Sequence, residues 1–165
     1  MSRDLDPLDK STLETLYFGS SQMLNEHGSA PHVFAFGSED LDMFVFSQAE
    51  FDDEARARFV TFARHFVRVK KVHTVYTIVE AWHVEMPPGT PMNERKKVIP
   101  HKHKDRNEVL HCSIQKADGR EWVANILLTR RNGVPSVPDT LPENSIWPVK
   151  TPQAWFNFFG EVPAT

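Results

Sequence analysis

The sequence has almost no cysteine and no long apolar run. Cys112 is the only cysteine among 165 residues, so the chain cannot form an internal disulfide. No segment approaches the ~18 apolar residues of a membrane-spanning helix. The N-terminal stretch MSRDLDPLDK is charged and lacks the apolar core of a signal peptide. These absences exclude a disulfide framework and favour a cytoplasmic protein without a membrane anchor.

A strong charge imbalance and the common catalytic motifs are also missing. The formal net charge is -3 at pH 7, so no global field attracts nucleic acid or an anionic membrane. No P-loop, G-x-G-x-x-G or G-x-S-x-G motif occurs. Cys112 alternates with apolar residues, which indicates a small core residue rather than a nucleophile.

Phenylalanine, by contrast, is abundant. Twelve phenylalanines and a hydrophobic fraction of 40% predict a single domain over residues 1–165 with many rings in its core. Residues 1–10 are polar and predict a loose N-terminus. Residues 131–165 are rich in proline and predict a segment that wraps over the surface. Within it, Thr151–Gly160 predicts a short helix that carries several aromatic residues. We expect this helix to dock on the open face of the sheet, and a contact surface for another chain is the alternative.

Hydrophobic periodicity predicts elements in the order α-β-β-α-β-β-β. The helices are predicted to begin at Ser11 and Ser47, each followed three residues later by a glutamate, as in a capping box. The predicted strands are Val33–Phe36, Leu41–Phe46, Val72–Met86, Glu108–Lys116 and Glu121–Thr129. We expect an α+β fold with a mostly antiparallel sheet of about five strands and the helices packed on one face. The strand Val72–Met86 is apolar on both sides, which places it at the centre of the sheet.

Two strand details carry further predictions. Asp118-Gly119 predicts a two-residue hairpin turn, which puts Lys116 opposite Glu121. That register places Leu110, Cys112 and Ile114 on the same face as Val123 and Leu127. In the second strand, Asp42 alternates with Leu41 and Met43, which predicts that one face of this strand is partly exposed.

Glu80 interrupts the apolar pattern of the central strand and is a candidate catalytic residue. A carboxylate in this position needs a partner or has a raised pKa, as a general base does. A salt bridge to Arg106 or Arg130 is the structural alternative, and exposure at the sheet edge is another.

The spacing His101-x-His103 suggests a metal site. In an extended backbone both imidazoles point to the same side, and two such nitrogens with a carboxylate would form a Zn²⁺ or Fe²⁺ site. Glu80 nearby would then serve as the base of a metal-dependent hydrolase. The pair resembles the start of the JAMM metallopeptidase motif. His111 and Ile114 stand where that motif has a serine and an aspartate, so its activity is not carried over. The alternative is that both histidines are polar residues of a lysine-rich loop. We therefore expect no cofactor, with a divalent metal as the alternative.

Residues 87–107 form a predicted loop of about twenty residues. It carries Arg95, Lys96, Lys97 and Arg106, which could bind a phosphate backbone while Trp82 stacks on bases. No recognised nucleic-acid-binding motif accompanies these basic residues. Nucleic-acid binding is thus a further alternative.

Two blocks, VEAW at residues 79–82 and HKDRNEVL at residues 103–110, resemble a pattern in small bacterial and phage-encoded proteins of no assigned activity. There the second block tends to read His-Pro-Asp-Arg-x-Glu-Val, and Lys104 replaces the proline here. The resemblance implies a bacterial or phage origin. It also implies that Glu80, Trp82, Asp105, Arg106 and Glu108 lie close together in space.

The leading hypothesis is a small cytoplasmic binding protein that acts as a homo-oligomer or in a complex with a protein partner. It rests on the missing catalytic motifs, the charged loop and the aromatic C-terminal segment.

Overall fold

The computed structural model describes residues 4–83, 107–149 and 157–159. These residues form two helices, α1 (Pro7–His27) and α2 (Asp53–Lys70), and eight strands. The strands are β1 (His32–Gly37), β2 (Leu41–Phe46), β3 (Thr74–His83), β4 (Asn107–Lys116), β5 (Glu121–Leu127), β6 (Thr129–Arg131), β7 (Val134–Ser136) and β8 (Trp147–Pro148). The predicted α+β class with a mostly antiparallel sheet is confirmed. Within the described ranges, no helix is long and apolar enough to cross a membrane.

The main sheet has the strand order β2-β1-β3-β4-β5-β8, and every pair in it is antiparallel. β3 lies in the interior between β1 and β4, as its two apolar sides predict. Its side chains alternate between two hydrophobic clusters: Tyr76 and Ile78 belong to one, Val75 and Val79 to the other. The predicted end of this strand, residues 84–86, lies outside the described residues.

The two helices cover opposite faces of this sheet. Leu13, Tyr17 and Leu24 of α1 pack in the cluster that contains Ile78, and we call that side the α1 face. Phe59, Ala63 and Val67 of α2 pack in the cluster that contains Val79, on the α2 face. The prediction that the helices pack on one face is therefore wrong, because a central strand that is apolar on both sides needs a cover on each.

The α2 face is built largely from phenylalanine rings. The rings of Phe34 and Phe59 have centroids 4.6 Å apart, and further rings surround them edge-on or tilted. The members of this cluster are Phe34, Phe36, Phe44, Phe46, Phe51, Phe59, Phe66, Phe158 and Phe159. Phe158 of the aromatic C-terminal segment is buried here, so the segment contacts the sheet as predicted, but on a face that α2 also covers and not on an open one. The rest of its predicted helix, residues 151–156 and 160, lies outside the described residues.

Both helices begin away from the predicted serine caps. α1 begins at Pro7, and the Asp6 side chain caps it by accepting from the Leu8 N–H at 2.8 Å. Residues 7–10 are therefore helical and not loose. α2 begins at Asp53 with Asp52 as its cap. Ser47 instead accepts from the Glu50 N–H within a turn. The bond expected of a capping box therefore forms here, but no helix follows it directly.

The hairpin between β4 and β5 has a register one residue away from the prediction. Gln115 lies opposite Glu121, and Lys116 bonds to Arg120 through their backbones, so the loop has three residues and ends at Gly119 with φ 93°. A shift of one residue exchanges the two faces of a strand. Trp122, Ala124 and Ile126 therefore join Leu110, Cys112 and Ile114 on the α1 face.

The proline-rich segment after β5 crosses α1, consistent with the predicted wrapping. Asn25 on α1 exchanges two hydrogen bonds with the backbone of Val137, at 2.9 and 3.0 Å. The Tyr17 hydroxyl donates to the Pro138 carbonyl at 2.6 Å. Beyond this crossing, β8 returns to pair with β5. The β6–β7 hairpin was not predicted, although its Asn132-Gly133 turn, with φ 53° and 80°, is a strong hairpin signal.

Candidate functional site

Three of the predicted site residues lie in the described part of the chain: Glu80, Trp82 and Glu108. The remaining ones lie outside the described residues: Arg95, Lys96, Lys97, His101, His103, Asp105 and Arg106. The metal-site and nucleic-acid hypotheses therefore stay predictions. Among the described residues alone, no group of three or more His, Cys, Asp or Glu side chains could hold a metal ion.

Glu80 lies near the end of β3 and is bonded to the loop that follows α1. Its Oε1 accepts from the Ala30 N–H at 2.7 Å, and the Gln48 side-chain amide donates to the Ala30 carbonyl at 3.2 Å. Ala30 is buried, so these two side chains satisfy a backbone that water does not reach. Glu80 thus anchors the loop between α1 and β1. The predicted pairing of Glu80 with Arg130 is wrong, because Arg130 pairs with a different carboxylate.

That carboxylate is Glu108, at the start of β4. The Arg130 Nε donates to Glu108 Oε2 at 2.8 Å, and Nη2 donates to Oε1 at 3.0 Å. The Nη1 group also donates to the Gly133 carbonyl at 2.8 Å. This two-point geometry fixes the guanidinium and neutralises Glu108 locally. Trp82 lies directly opposite Glu108 in the β3–β4 register.

A cavity of about 330 Å³ joins these groups. Its polar and aromatic lining consists of Ser29, Gln48, Glu80, Trp82, Glu108 and Arg130. The structure therefore brings together Glu80, Trp82 and Glu108, as the sequence resemblance implied. Sequence reasoning missed Ser29 and Gln48, because neither residue stands in a pattern that points to a site.

A second exposed feature lies at strand β2, the first strand in the order of the main sheet. Leu41, Met43 and Val45 of β2 are 45%, 49% and 53% exposed. They lie on the α1 face, because they pair with Gly37, Ala35 and Val33 of β1. On the α2 face, Phe62 is 44% exposed and its ring is 5.5 Å from that of Phe44. We call Leu41, Met43, Val45 and Phe62 the β2 edge surface.

In the ranges that the structure describes, β2 pairs only with β1, so its other edge is open. β2 contains no lysine and no proline, two residues that commonly protect such an edge. Its only charged residue is Asp42, which lies on the α2 face, opposite Phe36 of β1. The predicted partial exposure of this strand is confirmed, but the exposed side is the apolar one.

A buried polar network ties the N-terminal end of α1 to the sheet. Asp9 accepts from the Tyr76 hydroxyl at 2.6 Å and from the Lys116 ammonium at 2.8 Å. Lys116 also donates to the Thr74 hydroxyl at 2.7 Å. Burial, followed by the bond to Asp9, raises the pKa of Tyr76 far above its usual range. The network connects α1 to β3 and β4, and it therefore has a structural role.

Cys112 is fully buried, and burial raises the pKa of its thiol far above the usual range. A thiol that stays protonated is a poor nucleophile, so the prediction of a core residue is confirmed.

Comparison of the chain with protein-family models, curated proteins and solved structures found no match.

Proposed function

We propose that this chain is a binding protein that assembles with a second copy of itself by pairing β2 edge to edge. The observation that carries the proposal is the β2 edge surface, where exposed apolar side chains lie on both sides of a strand edge that pairs with no other described strand. It supports the homo-oligomer expected from the sequence, although through a different surface. The aromatic C-terminal segment is less suited to this role, because Phe158 is buried in the core.

An open strand edge presents a row of unpaired backbone N–H and C=O groups that can add another strand. Pairing extends the hydrogen-bonded ladder, and it also removes apolar side chains from water on each side of the sheet. Leu41, Met43 and Val45 would be covered on the α1 face, and Phe62 on the α2 face. At β2, the added backbone hydrogen bonds and the burial of apolar side chains therefore both favour pairing.

A second copy is the occupant that best fits this edge. Antiparallel pairing of β2 with itself follows a two-fold axis, the commonest symmetry of protein dimers, and requires no other partner. Asp42 is the only charged residue on the strand, and a two-fold axis at Met43 places it opposite Phe44 of the copy. Like charges then do not face each other.

The size of the edge predicts a reversible dimer. Six residues at about 3.4 Å each give an edge roughly 20 Å long. With a sheet and one helix layer in depth, each copy would bury on the order of 400 Å², so the total is below the ~1,200 Å² typical of stable complexes. We therefore expect dissociation on dilution.

Sedimentation velocity over a wide concentration range tests this proposal. We expect the wild-type chain to shift from monomer to dimer as concentration rises, and Met43→Lys to remain monomeric, because its lysine would lie in the interface. Leu127→Lys is the matched control, since Leu127 is also a strand residue and is 51% exposed, away from β2. A wild-type chain that stays monomeric throughout, or equal effects of the two lysines, would contradict the proposal.

A further inference from the structure

We propose that the Glu80 cavity binds an organic ammonium group, either of a small free amine or of a lysine side chain. This site is distinct from the β2 edge surface and does not depend on the proposed self-association. Its volume of about 330 Å³ lies at the lower end of the range for small-ligand sites, which is roughly 300–1,000 Å³.

The charges that line the cavity favour a cation. Among the described residues that line it, the charged groups are two carboxylates, Glu80 and Glu108, and one guanidinium, Arg130, so these groups carry one net negative charge. Arg130 and Glu108 satisfy each other through their two-point pair. Within the described part of the chain, Glu80 accepts from the Ala30 N–H and pairs with no cationic side chain. The unbalanced charge of the cavity is therefore that of Glu80.

The end of α1 adds to this potential. Gly28, the C-cap of α1, also lines the cavity. The C-terminal end of a helix carries partial negative charge, which favours a cation nearby. An anionic ligand would meet both this helix end and the Glu80 carboxylate, so the arrangement disfavours it.

Trp82 supplies the second element of an ammonium site. Glu80 and Trp82 are two residues apart on β3, so both side chains leave the same face, roughly 7 Å apart along the strand. Trp82 is 39% exposed and lines the cavity. Indole faces attract cations within about 6 Å, and a carboxylate beside an aromatic face is suited to an alkylammonium, whose carbon atoms contact the ring.

The described groups suit an ammonium ion better than a metal. Metal ions take at least four ligands, and among the described lining residues Glu80 is the one carboxylate without a charged partner. An ammonium group needs only a few acceptors. The Glu80 carboxylate and the Gln48 side-chain carbonyl are available acceptor types in the lining.

Nuclear magnetic resonance of the full chain, titrated with n-butylammonium chloride at constant ionic strength, tests the site. We expect saturable shifts of the Ala30 amide and the Trp82 indole N–H. Because the probe has only about five non-hydrogen atoms, the dissociation constant should be in the millimolar range. Uncharged n-butanol should produce no saturable shift. A flat wild-type titration, or equal binding of butanol, would overturn the proposal.

Variants separate the charge of Glu80 from its structural role. Glu80→Gln keeps an oxygen that can accept the Ala30 N–H, so the loop stays anchored, and we expect at least tenfold weaker binding of butylammonium. Trp82→Leu should weaken it roughly two- to fivefold. Glu143→Gln, at a carboxylate that lines a different cavity, is the control and should change nothing. Undiminished binding by Glu80→Gln would overturn the proposal.

A second arm distinguishes the two sources of the ammonium group. A blocked Gly-Lys-Gly peptide and its acetyl-lysine counterpart replace butylammonium in the same titration. Tighter binding of the lysine peptide than of butylammonium would identify a polypeptide side chain as the ligand, and weaker binding would identify a free amine. Equal binding of the lysine and acetyl-lysine peptides would contradict an ammonium site.

Discussion

The two faces of the sheet are held together in different ways. On the α2 face, phenylalanine rings pack around Phe59, and their contacts have no strict direction. On the α1 face, directional hydrogen bonds fix the helix at both ends: Asp9 bonds to Tyr76 near the start of β3, and Ala30 bonds to Glu80 near its end. Both faces bury a hydrophobic cluster, and the α1 face adds directional bonds that fix the position of its helix. The candidate cavity lies on this face.

Removing the central ring of the α2 face should have the largest effect. Phe59 is buried, and its ring contacts those of Phe34, Phe36, Phe44, Phe46, Phe51, Phe62 and Phe158. Phe59→Ala should lower the free energy of unfolding by about 4 kcal/mol, because it leaves a cavity among the rings. Urea denaturation measures this loss.

Phe59→Leu tests whether the α2 face is less specific in its packing than the α1 face. A ring cluster without directional bonds should accept another large apolar side chain at a cost of about 1.5 kcal/mol or less. A loss as large as that of Phe59→Ala would mean that the α2 face is as specific as the α1 face.

Breaking the network at Asp9 should have the next largest effect. Asp9→Ala leaves the Lys116 ammonium, whose side chain is only 18% exposed, without its carboxylate. We expect the free energy of unfolding to fall by about 3 kcal/mol. The double variant with Lys116→Met should recover part of this loss, because no charge is then left unpaired. A loss below about 1 kcal/mol would show that the pair is not a directional anchor.

A smaller, pH-dependent effect should come from His32 on the α2 face. Its ring lies 5.0 Å from that of Phe51, and burial lowers its pKa. In the unfolded chain histidine titrates near pH 6.5, so below that value the unfolded state binds the proton more readily. The free energy of unfolding should therefore fall as pH decreases from about 6.5.

His32→Phe should remove this part of the slope while keeping an aromatic ring beside Phe51. Urea unfolding of both proteins at several pH values between about 5 and 7.5 measures the difference. Parallel pH profiles would show that His32 is not held neutral by burial.

The sequence predicted those features that depend on local periodicity. The apolar stripe of α2 recurs every three or four residues, and the two apolar sides of β3 place that strand in the interior whatever its neighbours are. The end of α1 at Gly28 also has a local basis, because glycine adopts its φ of 80° without strain.

Features that depend on distant partners were not predictable in the same way. An Asp-Gly turn permits hairpin loops of two or three residues, and the choice made here is the one that buries Trp122 and Ile126. Glu80 was identified as unusual, but its partner is a backbone N–H fifty positions away, which carries no side-chain signature. On β2, the alternation predicted one exposed face, and the structure shows that this face is the apolar one, because the charged residue faces inward.

The most direct test of the central claim is hydrogen–deuterium exchange of the β2 backbone at low and high protein concentration. If β2 pairs with a second copy, amides of Leu41–Phe46 that point away from β1 should exchange quickly in dilute solution and become protected as the dimer forms. The amide of Trp147 in β8, at the opposite end of the sheet, should not change. Unchanged exchange in β2 at concentrations where sedimentation shows a dimer would contradict edge pairing, because association would then use another surface.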